Sequence, residues 1–93
     1  MKRLWERDEL VEHWSLTEEE LALAQKFKTN TGPLGFALLL KWFQYEGRFP
    51  QHRIEVPTVV LAYLARQLGV LPEQFAFYDW HGRTIERHRA QIR

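Results

Sequence analysis

Along this 93-residue chain the apolar positions recur three and four residues apart, and nowhere do they alternate over the length of a strand. Asp8 to Trp14 reads as a short helix with Asp8 as its N-cap, burying Leu10, Val11 and Trp14. Thr17-Glu18-Glu19-Glu20 is a stronger start signal. Here the Thr17 hydroxyl and the Glu20 carboxylate are spaced to accept from the orphan backbone N–H groups of a capping box. Leu16 and Leu21 flank it as a hydrophobic staple, and three glutamates in the first turn complement the positive end of the helix dipole. These acids have a structural explanation, so none is assigned a catalytic role. The helix is expected to run to about Lys28, with Leu23 and Phe27 one turn apart, and Thr29-Asn30-Thr31-Gly32-Pro33 is expected to break it.

From Leu34 to Tyr45 the chain is apolar nearly all round, the pattern of a central buried helix, and Gly47 ends it. A polar connector follows to Glu55, containing Pro50, and Pro57 suits the first turn of the next helix. Leu61, Leu64, Ala65 and Leu68 form one stripe that stops at Gly69, a natural C-terminal cap. Pro72 opens a short helix expected to continue to Trp80, His81-Gly82 ends it, and Arg83 to Arg93 is helical in propensity. The fold class predicted is all-α: one domain over residues 1–93, a compact bundle of five or six short helices.

Composition narrows the function. The sequence has 45% hydrophobic and 27% charged residues, the ordinary globular range, with four Trp, six Phe and three Tyr to fill a core. It has no cysteine, which removes disulfides, thiolate metal sites and cysteine nucleophiles, and fits a reducing cytoplasm. The longest apolar run, Leu34 to Leu40, is far short of the roughly 20 residues of a membrane-spanning helix. The N-terminus is charged where a signal peptide would be apolar, so a cytoplasmic location is expected and no membrane partner. The four histidines are scattered without metal-binding spacing, Gly32-Pro33-Leu34-Gly35 lacks the rest of a phosphate-binding glycine loop, and Ser15, the only serine, has no obvious base. No catalytic residue, metal, cofactor or small-molecule substrate is assigned.

Charge is unevenly spread. Net charge is +1, but residues 1–20 balance to −4 and residues 21–93 to +5. The last thirteen residues carry Arg83, Arg87, Arg89 and Arg93 against Glu86 alone. A basic end on an acidic start suits a surface that faces a polyanion on one side.

The stretch 61–80 has the layout of a helix-turn-helix-like unit. Ala65 is the small contact, Gly69 the turn, and Leu64, Leu68, Val70, Phe75 and Tyr78 the packing set. Plain helix packing uses the same layout. The second helix is a poor reader by itself, because Glu73 and Asp79 would be repelled by phosphates, although Gln74 can pair with adenine. The basic segment 81–93 suits DNA better. On a helical wheel Ile85 and Ile92 share one side, Arg83, Arg87 and Gln91 the other, and Arg89 and Arg93 form a flanking row. Thr84 and His88 can add hydrogen bonds to phosphate oxygens. A secondary candidate is the loop carrying Lys28, Asn30 and Thr31, just before a helix N-terminus where anions are favoured. The DNA-binding candidates are therefore Arg83, Thr84, Arg87, His88, Arg89, Gln91, Arg93 and Gln74, followed by Lys28, Asn30 and Thr31.

Several segments, taken in order, carry a family resemblance. They are His13-Trp14-Ser15-Leu16-Thr17, Leu34-Gly35-Phe36-Ala37-Leu38-Leu39-Leu40, Glu55-Val56-Pro57, Ala65-Arg66-Gln67-Leu68-Gly69-Val70, Gly82-Arg83-Thr84 and His88-Arg89. Together they resemble the conserved N-terminal region of the Tn-three-type replicative transposases, over about Glu9 to Arg93. The resemblance implies a large bacterial enzyme whose N-terminal part binds the transposon's terminal inverted repeats as double-stranded DNA. Its ribonuclease-H-like catalytic domain, with Asp-Asp-Glu metal ligands, lies far downstream and outside these residues. It also implies that this chain is a piece of that enzyme, with the rest of the transposase as a partner. Two other readings stay open: a helical interaction module for assembling the transposase, and a free-standing helix-turn-helix regulator.

Overall fold

The computed structural model describes residues 2–29 and 31–93. Five α-helices form, α1 (Arg7–Trp14), α2 (Glu18–Gln25), α3 (Gly32–Glu46), α4 (Thr58–Leu68) and α5 (Arg83–Ile92), with 310 helices at Arg53–Glu55 and Pro72–Phe77. No strand occurs among the described residues, so the fold is all-α. The apolar-all-round segment is the hub. Helix α3 packs against α1, α2, α4, α5 and the second 310 helix, and Leu34, Phe36, Ala37, Leu38, Leu39 and Trp42 are fully buried.

Most starts and stops follow the local chemistry. At α2 the Thr17 hydroxyl accepts from Glu20 N at 3.1 Å and the Glu20 carboxylate accepts from Thr17 N at 3.0 Å, the reciprocal capping box. Gly47 and Gly69 close α3 and α4 in the left-handed region, with φ of 76° and 72°. The Glu20 carboxylate also accepts from Lys41 Nζ (3.1 Å) and Gln44 Nε2 (2.7 Å), so one side chain caps α2 and ties it to α3. Gln67 joins α4 to the α1–α2 link, accepting from Leu16 N at 2.7 Å and donating to Trp14 O at 3.0 Å.

Four local expectations are corrected. The N-cap of α1 is Glu6, not Asp8, because Glu9 reaches back to accept from Glu6 N at 2.9 Å and the helix starts at Arg7. Val11 is exposed, because a helix this short turns only the Leu10–Trp14 edge to the core. Helix α2 ends at Gln25, where Lys26 N and Phe27 N donate to carbonyls three residues back and tighten the last turn. Gly32-Pro33 starts α3 rather than ending a helix: proline is tolerated in a first turn, and Thr29 Oγ1 accepts from Gly32 N at 2.8 Å.

The segment after Gly69 departs furthest. Instead of a helix to Trp80 the chain makes a six-residue 310 helix that stops at Phe77. Residues three apart eclipse in a 310 helix, and Phe75 and Tyr78 use that period to stack with ring centroids 6.0 Å apart and both rings buried. The Tyr78 ring then fills a notch at Gly35 of α3, where a Cβ would collide with three of its ring atoms. The second half of the 61–80 stretch thus turns Phe75 and Tyr78 into the core and leaves Glu73, Ala76 and Phe77 exposed.

Candidate nucleic-acid interface

Helix α5 has one face locked and one face free. Ile85 and His88 are buried and Ile92 is half-buried against the core, while Arg83, Thr84, Glu86, Arg87, Ala90 and Gln91 are exposed. Just ahead of its N-cap, Asp79 Oδ1 accepts from His81 N at 3.1 Å, and the Asp79 carboxylate lies where a Cβ on Gly82 would be. A carboxylate at this place complements the positive end of the α5 dipole.

Arg83, Thr84, Arg87 and Gln91 come together on the outer face. Neither Arg83 nor Arg87 forms an ion pair with a described residue, although Glu86 lies between them in sequence. Two guanidinium groups without a carboxylate partner leave two forks of N–H donors facing water, a surface that phosphate oxygens or the guanine edge can take up.

Three other groups of candidates lie elsewhere. Arg89 and Arg93 flank that face, with their guanidinium carbons 5.8 and 5.5 Å from the centre of the Phe49 ring. Gln74 is half-buried in a shallow recess of about 390 Å³ together with Thr29, Pro33 and Leu71. Of the secondary loop, Lys28 is exposed, Thr31 is half-buried at the start of α3 without a side-chain cap bond, and Asn30 lies outside the described residues. The root of that loop touches α5 on its inner side, where the Phe27 and His88 rings are 4.3 Å apart.

His88 is the clear correction. Expected on the DNA-facing surface, it is 2% exposed and belongs to the core. Its Nδ1 shares a 2.7 Å hydrogen bond with the Tyr78 hydroxyl, and its ring stacks on Tyr78 and meets Phe36 edge-on. Burial pushes its pKa down to about 4, so the ring is neutral near pH 7 and offers no charge to a phosphate. The same burial pushes the Tyr78 hydroxyl up, so it keeps its proton.

Two features go beyond the sequence reading. Phe49, in the polar connector, is the ring under Arg89 and Arg93; its signal is an apolar residue in a stretch with little other reason to hold one. Arg53 donates to Tyr78 O and lies over the rings of Phe75 and Trp80 at 6.0 and 5.9 Å, bracing the 310 segment. It borders an open recess of about 470 Å³ with His52, Asp79 and His81. Among the described residues no three histidine, aspartate or glutamate side chains are grouped to hold a metal ion, and no helix is long and apolar enough to cross a membrane.

Comparison with known proteins adds two findings. Residues 1–93 match the family described as Domain of unknown function (DUF4158). The chain is also similar to the transposase for transposon Tn1546 of Enterococcus faecium, 27% identical over 81 residues, covering 87% of this chain and 8% of that protein. It is 24% identical over 87 residues to the transposase for transposon Tn501 of Pseudomonas aeruginosa, covering 94% of this chain and 9% of that protein. The chain therefore spans less than a tenth of the length of these curated relatives.

Proposed function

Because the chain belongs to the DUF4158 family and is similar to the N-terminal region of Tn-three-type transposases, we propose that it is a DNA-binding domain of such an enzyme. It contributes to recognition of the terminal inverted repeats and leaves strand chemistry to other parts of a transposase acting in the bacterial cytoplasm. Residues 1–93 act as one helical domain. The helix-turn-helix-like stretch 61–80 is the frame, and α5, which follows it, is the element presented to the duplex.

One observation carries the reading: the outer face of α5 bears Arg83 and Arg87, without ion-pair partners among the described residues, on a helix whose inner face is fixed in the core. A helix fixed in the core that presents free guanidinium groups and Gln91 matches the needs of major-groove readout, with bidentate donors available to base edges. Thr84 adds a hydroxyl for a phosphate oxygen. Lys28 and Thr31, rooted beside α5 through Phe27, are assigned a secondary backbone contact, and Gln74 a peripheral one.

The test is fluorescence anisotropy of this chain on a labelled inverted-repeat duplex and a scrambled duplex across a salt series. Preference for the repeat and a linear fall of log affinity with log salt are expected. Arg87→Ala is expected to weaken repeat binding by about 1–3 kcal/mol if it contacts a base edge, with less effect on the scrambled duplex. Equal binding of wild type and Arg87→Ala to the repeat would remove α5 as the reading element.

A further inference from the structure

Arg89 and Arg93 stand one helical turn apart, and both guanidinium groups lie over the same Phe49 ring, at 5.8 and 5.5 Å from its centre. Two like charges at this spacing repel each other. Neither forms an ion pair with a described residue. The Nε of Arg89 is shielded from solvent and has no acceptor, so no protein carboxylate or carbonyl holds that part of the head group. The Phe49 ring is what holds the two cations in register, through its negative face. Phe49 is itself fixed, tilted against Phe43 of α3 with centroids 4.8 Å apart.

The two arginines, Phe49, Pro50 and Gln51 line an open recess of about 320 Å³. No acidic side chain among the described residues contributes to its lining. A pair of guanidinium groups held on one aromatic ring, in a concavity with no acidic residue in its lining, is complementary to a tetrahedral oxyanion. We propose that Arg89 and Arg93 form a phosphate clamp in which Phe49 is the positioning residue, the phosphate being that of a DNA backbone flanking the bases faced by Arg83 and Arg87. The choice of backbone phosphate rests on the DNA-binding reading above; the clamp for a phosphate group does not. In this division of labour the outer face of α5 distinguishes sequence, and the flank fixes how the helix sits on the duplex.

The test follows the side-chain Nε–Hε resonances of the arginines by NMR, titrating inorganic phosphate in one arm and the inverted-repeat duplex in the other. Phosphate should shift Arg89 and Arg93 together along one saturating curve, while Arg83 and Arg87 move only weakly and without saturation. Phe49→Leu, which keeps apolar volume beside Phe43, should abolish the saturating response, and Phe49→Tyr, which keeps the ring, should restore it. In the duplex arm Phe49→Leu should weaken repeat and scrambled DNA alike, by about five-fold, and reduce the salt slope by about one. Failure of phosphate to saturate the pair, or a response untouched by Phe49→Leu, overturns the clamp whatever the duplex does. Saturation by phosphate without any response to duplex keeps the clamp, assigns it to free phosphate, and counts against the DNA-binding reading. Duplex binding that moves Arg83 and Arg87 but leaves Arg89 and Arg93 still overturns the backbone contact and leaves that reading standing.

Discussion

His88 is neutral in the folded domain because its site excludes the water an imidazolium needs. The Tyr78 hydroxyl keeps its proton and can donate to the neutral ring at Nδ1, a bond whose direction a protonated ring would reverse. A folded-state pKa depressed to about 4, against an ordinary value near 6.5, means the contribution to stability is full above pH 6.5 and drains away as pH falls toward 4. The difference corresponds to about 3 kcal/mol across that window. Thermal midpoints from pH 7 to 4.5 should therefore fall for the wild type. In His88→Gln the midpoint at pH 7 should be lower and the slope through this window shallow; an unchanged slope would assign the effect to another group. Glu9, Glu20 and Glu55 are each held below the usual carboxylate range, so their losses fall at lower pH and do not confuse the comparison. Gly35 is the second position where one atom decides. Helix propensity alone favours Gly35→Ala by up to about 1 kcal/mol. The Tyr78 ring occupies the space that the new methyl needs, and that residue is held by His88 and, through its backbone carbonyl, by Arg53. Gly35→Ala should thus destabilise by about 1–3 kcal/mol in chemical denaturation, opposite in sign to propensity.

Among the elements, those with local signals could be read from the sequence and those set by tertiary contacts could not. The α2 capping box and the glycine ends of α3 and α4 are encoded within a turn of chain, and they form as read. Gly69→Ala meets no neighbouring atom within 4 Å, so its cost is backbone strain alone, about 1 kcal/mol. A matching loss in thermal or urea unfolding is expected, and no loss would mean that α4 ends differently. The stretch 72–80 departs from expectation because apolar residues three apart fit an α-helix and a 310 helix equally well in sequence; stacking of Phe75 on Tyr78 and the notch at Gly35 select the latter. For α5 the wheel was legible, with Ile85 and Ile92 inward and Arg83, Arg87 and Gln91 outward. What it does not reveal is the width of the inner face, which takes in His88 because the Phe27, Phe36 and Tyr78 rings converge there from three other segments.

At the scale of the molecule, one apolar helix organises everything else. Helix α3 touches all four other helices, so the acidic start of the chain and its basic end are carried by a common scaffold. The family resemblance was legible as an ordered set of short segments, and several of them prove to be structural: Gln67 stitches α4 to the α1–α2 link, and Gly69 ends α4. Of the two α5 arginines in those segments, Arg83 is exposed on the outer face, whereas Arg89 is drawn toward Phe49. The role of Phe49 is not legible locally, because its partners are forty and forty-four residues away along the chain.

The notch at Gly35 also has a bearing on how relatives of this chain can diverge. A tyrosine at position 78 needs a residue without a side chain at position 35, and α5 rests on that tyrosine through His88. A relative with a larger residue in place of Gly35 is therefore expected to carry a smaller one in place of Tyr78, and to have replaced His88 as well. In an alignment the three positions should change together or not at all.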